Sequence, residues 1–131
     1  MEDRLIISSI QVTENKIIWL LSNGQSVQKE YAIENAFIMV GDQSIAIIEK
    51  ATSTPDNLVI VDFMGKEVCR PKNPLDKANL DANFIGGGVI RDNNFLYAAG
   101  ITKGNGNQIS VDVVCKLNGK TYEIYDLHQS R

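Results

Sequence analysis

Isoleucine and valine together number 26 in this chain, against 9 leucines and 8 alanines. Branching at Cβ restricts the side chain in a helix and packs well on a pleated surface, so this excess favours strands. Local alternation agrees: Val111, Val113, Cys115 and Leu117 fall on one side of the segment Ser110 to Leu117, with Asp112 and Lys116 on the other. Turn signals cut the chain into strand-length pieces at Ser22-Asn23-Gly24, Val40-Gly41-Asp42, Thr54-Pro55-Asp56-Asn57, Met64-Gly65, Asp92-Asn93-Asn94, Lys103-Gly104-Asn105-Gly106-Asn107 and Asn118-Gly119. One short helix is predicted from Asn73 to Leu80, with Asn73 as its cap and Pro74 in the first helical position.

A repeat emerges when the turn glycines are superposed. The stretches Trp19 to Gln25, Val59 to Lys66 and Val113 to Lys120 each run apolar strand, glycine turn, polar residue, with glycines 24, 65 and 119 in register. Each hairpin has a strand before it: Leu5 to Val12, Ser44 to Glu49 and Asn94 to Thr102. Ala36 to Val40 and Phe84 to Arg91 lead the second and third groups. The expected fold is therefore all-β, with antiparallel meanders in three units of three to four strands, the first unit lacking its leading strand.

Four short strands per 40 to 50 residues is the spacing of propeller blades, and the chain resembles the β-propeller family over nearly its whole length. The resemblance implies three blades, with Gly86-Gly87-Gly88 on an innermost strand where backbones crowd. At 131 residues the chain is a single domain, 1–131, too short for the four blades of a closed ring. An open half-propeller is expected. Its uncovered flank predicts a cover: the loop from Arg70 to Ala82, a second copy, or a heterologous partner.

Several functions find no support in the residues. Thirteen Lys plus Arg against sixteen Asp plus Glu give a net charge of -3, which argues against direct nucleic-acid binding. No apolar run exceeds five residues, as in Ile17 to Leu21 and Ala36 to Val40, so no membrane-spanning helix is expected. The start Met1-Glu2-Asp3-Arg4 has no basic segment of a secretion signal, and a soluble, cytoplasmic chain follows as the expectation. Cys69 and Cys115 read as reduced, buried small residues, and His128 as an exposed residue near the terminus. Neither glycine cluster has the pattern of a phosphate loop. The calcium-loop spacing from Asp81 to Asp92 fails at Ile85, where an oxygen ligand is needed. No catalytic residue, metal or cofactor is expected, and the chain reads as a binding protein rather than an enzyme.

Charge points to the partner. Residues 30–62 hold six acids, Glu30, Glu34, Asp42, Glu49, Asp56 and Asp62, against one base, Lys50. These fall at strand ends and loops, where gathering on one rim would attract a basic partner. Trp19 is expected in the core. Tyr122 and Tyr125 lie on opposite faces of the last strand, and Tyr31 and Tyr125 are candidate interface anchors. The predicted partner-binding residues are Glu30, Tyr31, Glu34, Asp42, Asp56, Asp62 and Tyr125.

In size, acidity and lack of recognisable chemistry the chain is similar to bacterial immunity proteins, including those of contact-dependent growth inhibition. That resemblance implies stoichiometric neutralisation of a cognate toxin, basic and of nuclease type. Two alternatives stay open: a homo-oligomeric structural or accessory domain pairing through open blade edges, and a small-molecule or carbohydrate binder with its pocket beside Gly86 to Gly88.

Overall fold

The structure is a computed structural model that describes residues 4–50, 55–76, 79–103 and 109–129. Eleven strands follow in order: β1 (Ile7–Val12), β2 (Lys16–Leu21), β3 (Ser26–Glu30), β4 (Ile33–Ile38), β5 (Ser44–Glu49), β6 (Leu58–Asp62), β7 (Glu67–Cys69), β8 (Leu80–Ile90), β9 (Asn93–Thr102), β10 (Ser110–Leu117) and β11 (Ile124–Gln129). They form three antiparallel meanders, β1-β2-β3, β4-β5-β6-β7 and β8-β9-β10-β11, none closed into a barrel. The all-β expectation of three blade-like sheets holds, with the three-stranded unit first.

The sheets stack in chain order, and the middle one is covered on both sides. Ile45, Ile47, Val59 and Val61 face the first sheet and join a core with Ile7, Ile17, Trp19 and Leu21. Their neighbours Ala46, Ile48, Leu58 and Ile60 face the third sheet and pack with Phe84, Leu96, Ala98, Cys115 and Leu117. All eight of these middle-sheet side chains are fully buried. Burial on both faces is why β5 and β6 read as continuous apolar runs rather than alternations. The first strands of the sheets lie side by side, β1 against β4 and β4 against β8, as blades do around an axis.

Turn chemistry sets the register of two of the three superposed hairpins. Leu21 N–H donates to Gln25 O and Gly24 N–H to Leu21 O; Asp62 N–H donates to Lys66 O and Gly65 N–H to Asp62 O. The same ladder closes both turns because Gly24 and Gly65 adopt φ near +90° (93° and 90°), a conformation costly for any residue with a Cβ. The third turn differs. There Tyr122 takes the left-handed position (φ 61°), and the Asn118 side chain caps the N–H groups of Lys120 and Thr121.

Gly87 is required by crowding. A Cβ there would lie 2.6 Å from the Phe95 carbonyl oxygen and 2.8 Å from the Phe37 ring of β4. Gly87 thus permits the close approach of β8 to β4, whereas Gly86 and Gly88 are not crowded.

The predicted helix at Asn73 is absent from the described residues. Asn73 Oδ1 accepts from Leu75 N–H and caps a single turn, while its own N–H and Nδ2 donate to Asp56 Oδ1 and Pro55 O. Those bonds to the preceding loop hold the segment against the core, where Leu75 is buried. Leu80 already belongs to β8. Lys77 and Ala78 of this stretch, Met1 to Asp3, Thr54, and residues 104–107 of the predicted turn lie outside the described residues.

Candidate functional site

Strand β9 turns Asn94, Leu96, Ala98 and Gly100 inward and Phe95, Tyr97, Ala99 and Ile101 outward. Its outward side is the more apolar of the two. Pairing extends this surface: Gly86 and Gly88 on β8 stand opposite Tyr97 and Phe95, and Val114 and Lys116 on β10 flank the same two aromatics. Tyr125 on β11 is opposite Lys116. Ile85, Ile90 and Ile101 on this sheet are each about half exposed, at 52%, 47% and 47%. The outer face of the third sheet is therefore apolar around Phe95, Tyr97 and Val114, with Asp81, Asn83, Asn93 and Asp112 on the same side, and has an open lane at Gly88, where an added Cβ would meet nothing within 4 Å.

Two ion pairs border the face, Lys116 with Asp126 at 3.2 Å and Lys103 with Asp81 at 3.7 Å. Lys116 Nζ also stands 5.8 Å from the centroid of the Phe95 ring. Exposed Asp112 has no ion pair among the described residues and leaves a negative charge at the border. At the opposite end of the stack, the outer face of the first sheet carries Ser9, Gln11, Lys16, Ser26, Gln28 and Glu30 around Ile18 and Leu20. Among the described residues, the outer face of the third sheet is the more apolar of the two ends of the stack.

The predicted partner-binding residues do not gather on one rim. Glu30 ends β3 of the first sheet, and Tyr31, Glu34 and Asp56 lie at the neighbouring end of the middle sheet, where β4 begins and β5 ends, with Glu49 paired to Ile33. Asp42 and Asp62 lie at the other end, where Ser44 pairs with Asp62. The length of β5, about 17 Å at roughly 3.4 Å per residue, separates the two groups. Antiparallel pairing is the reason, because acids at successive strand ends alternate between rims. Tyr125 stands apart from both, exposed on β11 of the third sheet; Tyr122, expected on the opposite face of the same strand, lies instead in the turn before it, with φ 61°.

Several of these side chains serve the fold. Asp62 Oδ1 accepts from the N–H groups of Met64 and Lys66, and Asp56 Oδ1 from Asn73. Tyr31 is half-buried and donates its hydroxyl to Glu67 at 3.2 Å. Arg70 forks onto both carboxylate oxygens of Glu49. Burial, then the Glu67 charge and its hydrogen bond, push the Tyr31 phenol up to about 12. Trp19 is in the core as expected, its indole N–H donating to Phe63 O at 2.7 Å. His128 is exposed. Cys115 is fully buried and burial pushes its thiol up to about 11, whereas Cys69, at the short edge strand β7, is only half-buried.

A cavity of about 760 Å³ opens at one rim, where the turns β4–β5, β6–β7, β8–β9 and β10–β11 converge. It does not touch Gly86 to Gly88, beside which a pocket is expected; the Tyr97 and Phe37 rings stand against Gly86 and Gly87, and Gly88 faces open space. Among the described residues no group of three or more His, Cys, Asp or Glu is placed to hold a metal ion. No helix there is long and apolar enough to cross a membrane. The chain matches no protein family, no curated protein and no solved structure.

Phe95, Tyr97, Ile101 and Ile85 escaped the sequence reading. The signal for the first two was present in Phe95-Leu96-Tyr97-Ala98-Ala99, five apolar residues without polar alternation. Such a run marks a strand meant to be covered on both faces.

Proposed function

We propose that the chain is a protein-binding module whose partner covers the outer face of the third sheet. The carrying observation is the contrast between β5 and β9. Both are apolar on two sides, yet β5 is buried on both and β9 on one. A patch of this kind on a protein surface marks an interaction site. Strands of 11, 10, 8 and 6 residues, at about 3.4 Å per residue and about 4.8 Å apart, present on the order of 570 Å², somewhat below the contribution of one partner to a standard interface.

The partner is heterologous and basic. Its apolar centre fills the lane at Gly88 beside Phe95 and Tyr97, and it sets a cation opposite Asp112. A bacterial toxin neutralised stoichiometrically by an immunity protein fits this chemistry, and the overall acidity of the chain speeds the encounter at low salt.

The test takes the intact chain and the basic toxic domain of a secreted protein encoded beside its gene. Light scattering on the mixture is expected to show a one-to-one complex. The double variant Ile85→Lys with Ile101→Lys is expected to weaken it at least ten-fold with an unchanged melting temperature. A complex indifferent to those changes, or no binding to such a domain, overturns the reading. A chain that dimerises alone through the same two residues replaces it with a homo-oligomeric one.

A further inference from the structure

The rim cavity between the second and third sheets adjoins the protein-binding face and shares Asn93 and Tyr125 with it. Three aromatic side chains line it: Phe63 after β6, Tyr122 in the last turn and Tyr125 on β11. Tyr122 holds its place with a left-handed backbone (φ 61°), which a bulky side chain rarely adopts. Its ring packs against the core shared by the two sheets.

The polar lining has one recurring property. Each of three amides has one end fixed by the protein's own backbone and the other unengaged among the described residues. Gln43 Nε2 donates to Leu5 O, which leaves Oε1 as an acceptor. Asn93 Nδ2 donates to Arg91 O, which leaves Oδ1. Asn118 Oδ1 takes the N–H groups of Lys120 and Thr121, which leaves Nδ2 as a donor. The fixed end holds each amide plane in place, so ordering these groups costs a ligand little.

Charge at the cavity balances. Arg4 and Lys120 stand against Asp62 and Asp92. Arg4 is hydrogen-bonded to Gly41 O, and Asp62 is held by the β6–β7 turn, so one member of each sign is already engaged. The cavity therefore offers neutral amide donors and acceptors beside aromatic faces, with Lys120 and Asp92 as one remaining charge of each sign, within the range of volumes that enclose small ligands.

We propose that this cavity binds a neutral polyhydroxylated ligand of mono- to disaccharide size. The C–H face of a sugar ring lies on the aromatic side chains. Its hydroxyls, which both donate and accept, satisfy Asn118 Nδ2 on one side and Gln43 Oε1 and Asn93 Oδ1 on the other.

The test uses the intact chain with four probes, glucose, galactose, N-acetylglucosamine and cellobiose, and with glutamate and betaine as charged comparators. Saturation-transfer NMR reads contact, and the fluorescence of Trp19, whose indole is bonded to the Phe63 carbonyl, reads occupancy. At least one sugar is expected to bind with a Kd on the order of 1 mM. Gln43→Ala and Asn118→Ala are each expected to weaken it about five-fold, the value of one neutral hydrogen bond. Because Asn118 also caps its turn, Tyr125→Ala, which removes an exposed stacking ring, is measured beside it, and melting temperatures identify any variant that loosens the fold. No sugar binding at about 50 mM, more than ten times the expected Kd, overturns the proposal. So does sugar binding that survives Gln43→Ala and Tyr125→Ala, or binding confined to glutamate or betaine.

Discussion

The side chain of Asn57 pairs with Phe84 as a neighbouring strand would. Its Oδ1 accepts from the Phe84 N–H at 2.7 Å and its Nδ2 donates to the Phe84 carbonyl at 2.9 Å. Asn57 stands just before β6 in the second sheet and Phe84 lies on β8 in the third, so one amide laces the two sheets at a point where no strand pairing exists. The same Nδ2 also reaches Glu49 O at 2.8 Å. Asn94 repeats the device, accepting from Val40 N–H and donating to Leu117 O.

Asn57→Ala therefore leaves a buried N–H and two carbonyls without these partners. Its expected cost is about 2–4 kcal/mol, read as a shift of the urea midpoint at unchanged slope. Asn57→Asp keeps the acceptor but sets a carboxylate against two carbonyl oxygens, and is expected to cost at least as much. A loss under about 0.5 kcal/mol in either variant, within the ordinary range for a surface change, contradicts this lacing role.

Neighbouring glycines are expected to respond oppositely. Gly87→Ala drives a Cβ to 2.6 Å from the Phe95 carbonyl oxygen and 2.8 Å from the Phe37 ring, and overpacking of that kind costs about 1–3 kcal/mol. Gly88→Ala meets open space and is expected to be neutral. Thermal unfolding of the two variants side by side decides; equal effects refute the close approach of β8 to β4.

The uncovered face predicts dye binding by the folded state. Native chain is expected to enhance the fluorescence of an anilinonaphthalene sulfonate dye. Ile85→Lys with Ile101→Lys is expected to abolish most of that signal while moving stability by no more than about 0.5 kcal/mol per site, since both side chains are about half exposed. Native chain that leaves the dye dark, or a double variant as bright as the parent, refutes the patch.

Alkali is expected to weaken the fold in two steps. Burial raises the Cys115 thiol from 9.0 to about 11, and the Tyr31 phenol rises from 10.0 to about 12. In each case the unfolded chain loses its proton first, so the stabilisation is complete below pH 9 and fades as pH climbs to 12. Cys115→Val is expected to flatten the decline between pH 9 and 11, and Tyr31→Phe that between pH 10 and 12. Urea midpoints measured across this range check both; parallel curves for parent and variants refute the assignment.

Much of the architecture was legible because local chemistry dictates it. Glycines 24, 41 and 65 at φ near +90° to +100° announce their turns. The β-branched excess announces strands, and Ser44 to Glu49 falls where its pattern placed it. The site was less legible. Asn57 and Asn94 read as turn residues, but Asn57 directly precedes β6 and Asn94 lies within β9, and nothing local marks them as buried links between sheets. The acids of residues 30–62 read as one charged segment, and only antiparallel pairing reveals that they alternate between rims.

By itself the sequence determined which segments are strands, where they reverse, and that β5, β6 and β9 are apolar on two sides, because those properties depend on near neighbours along the chain. Only the tertiary structure decided which of those sides found a cover. Burial is a relation between sheets, so the same apolar pattern became the centre of the stack in β5 and an open surface in β9.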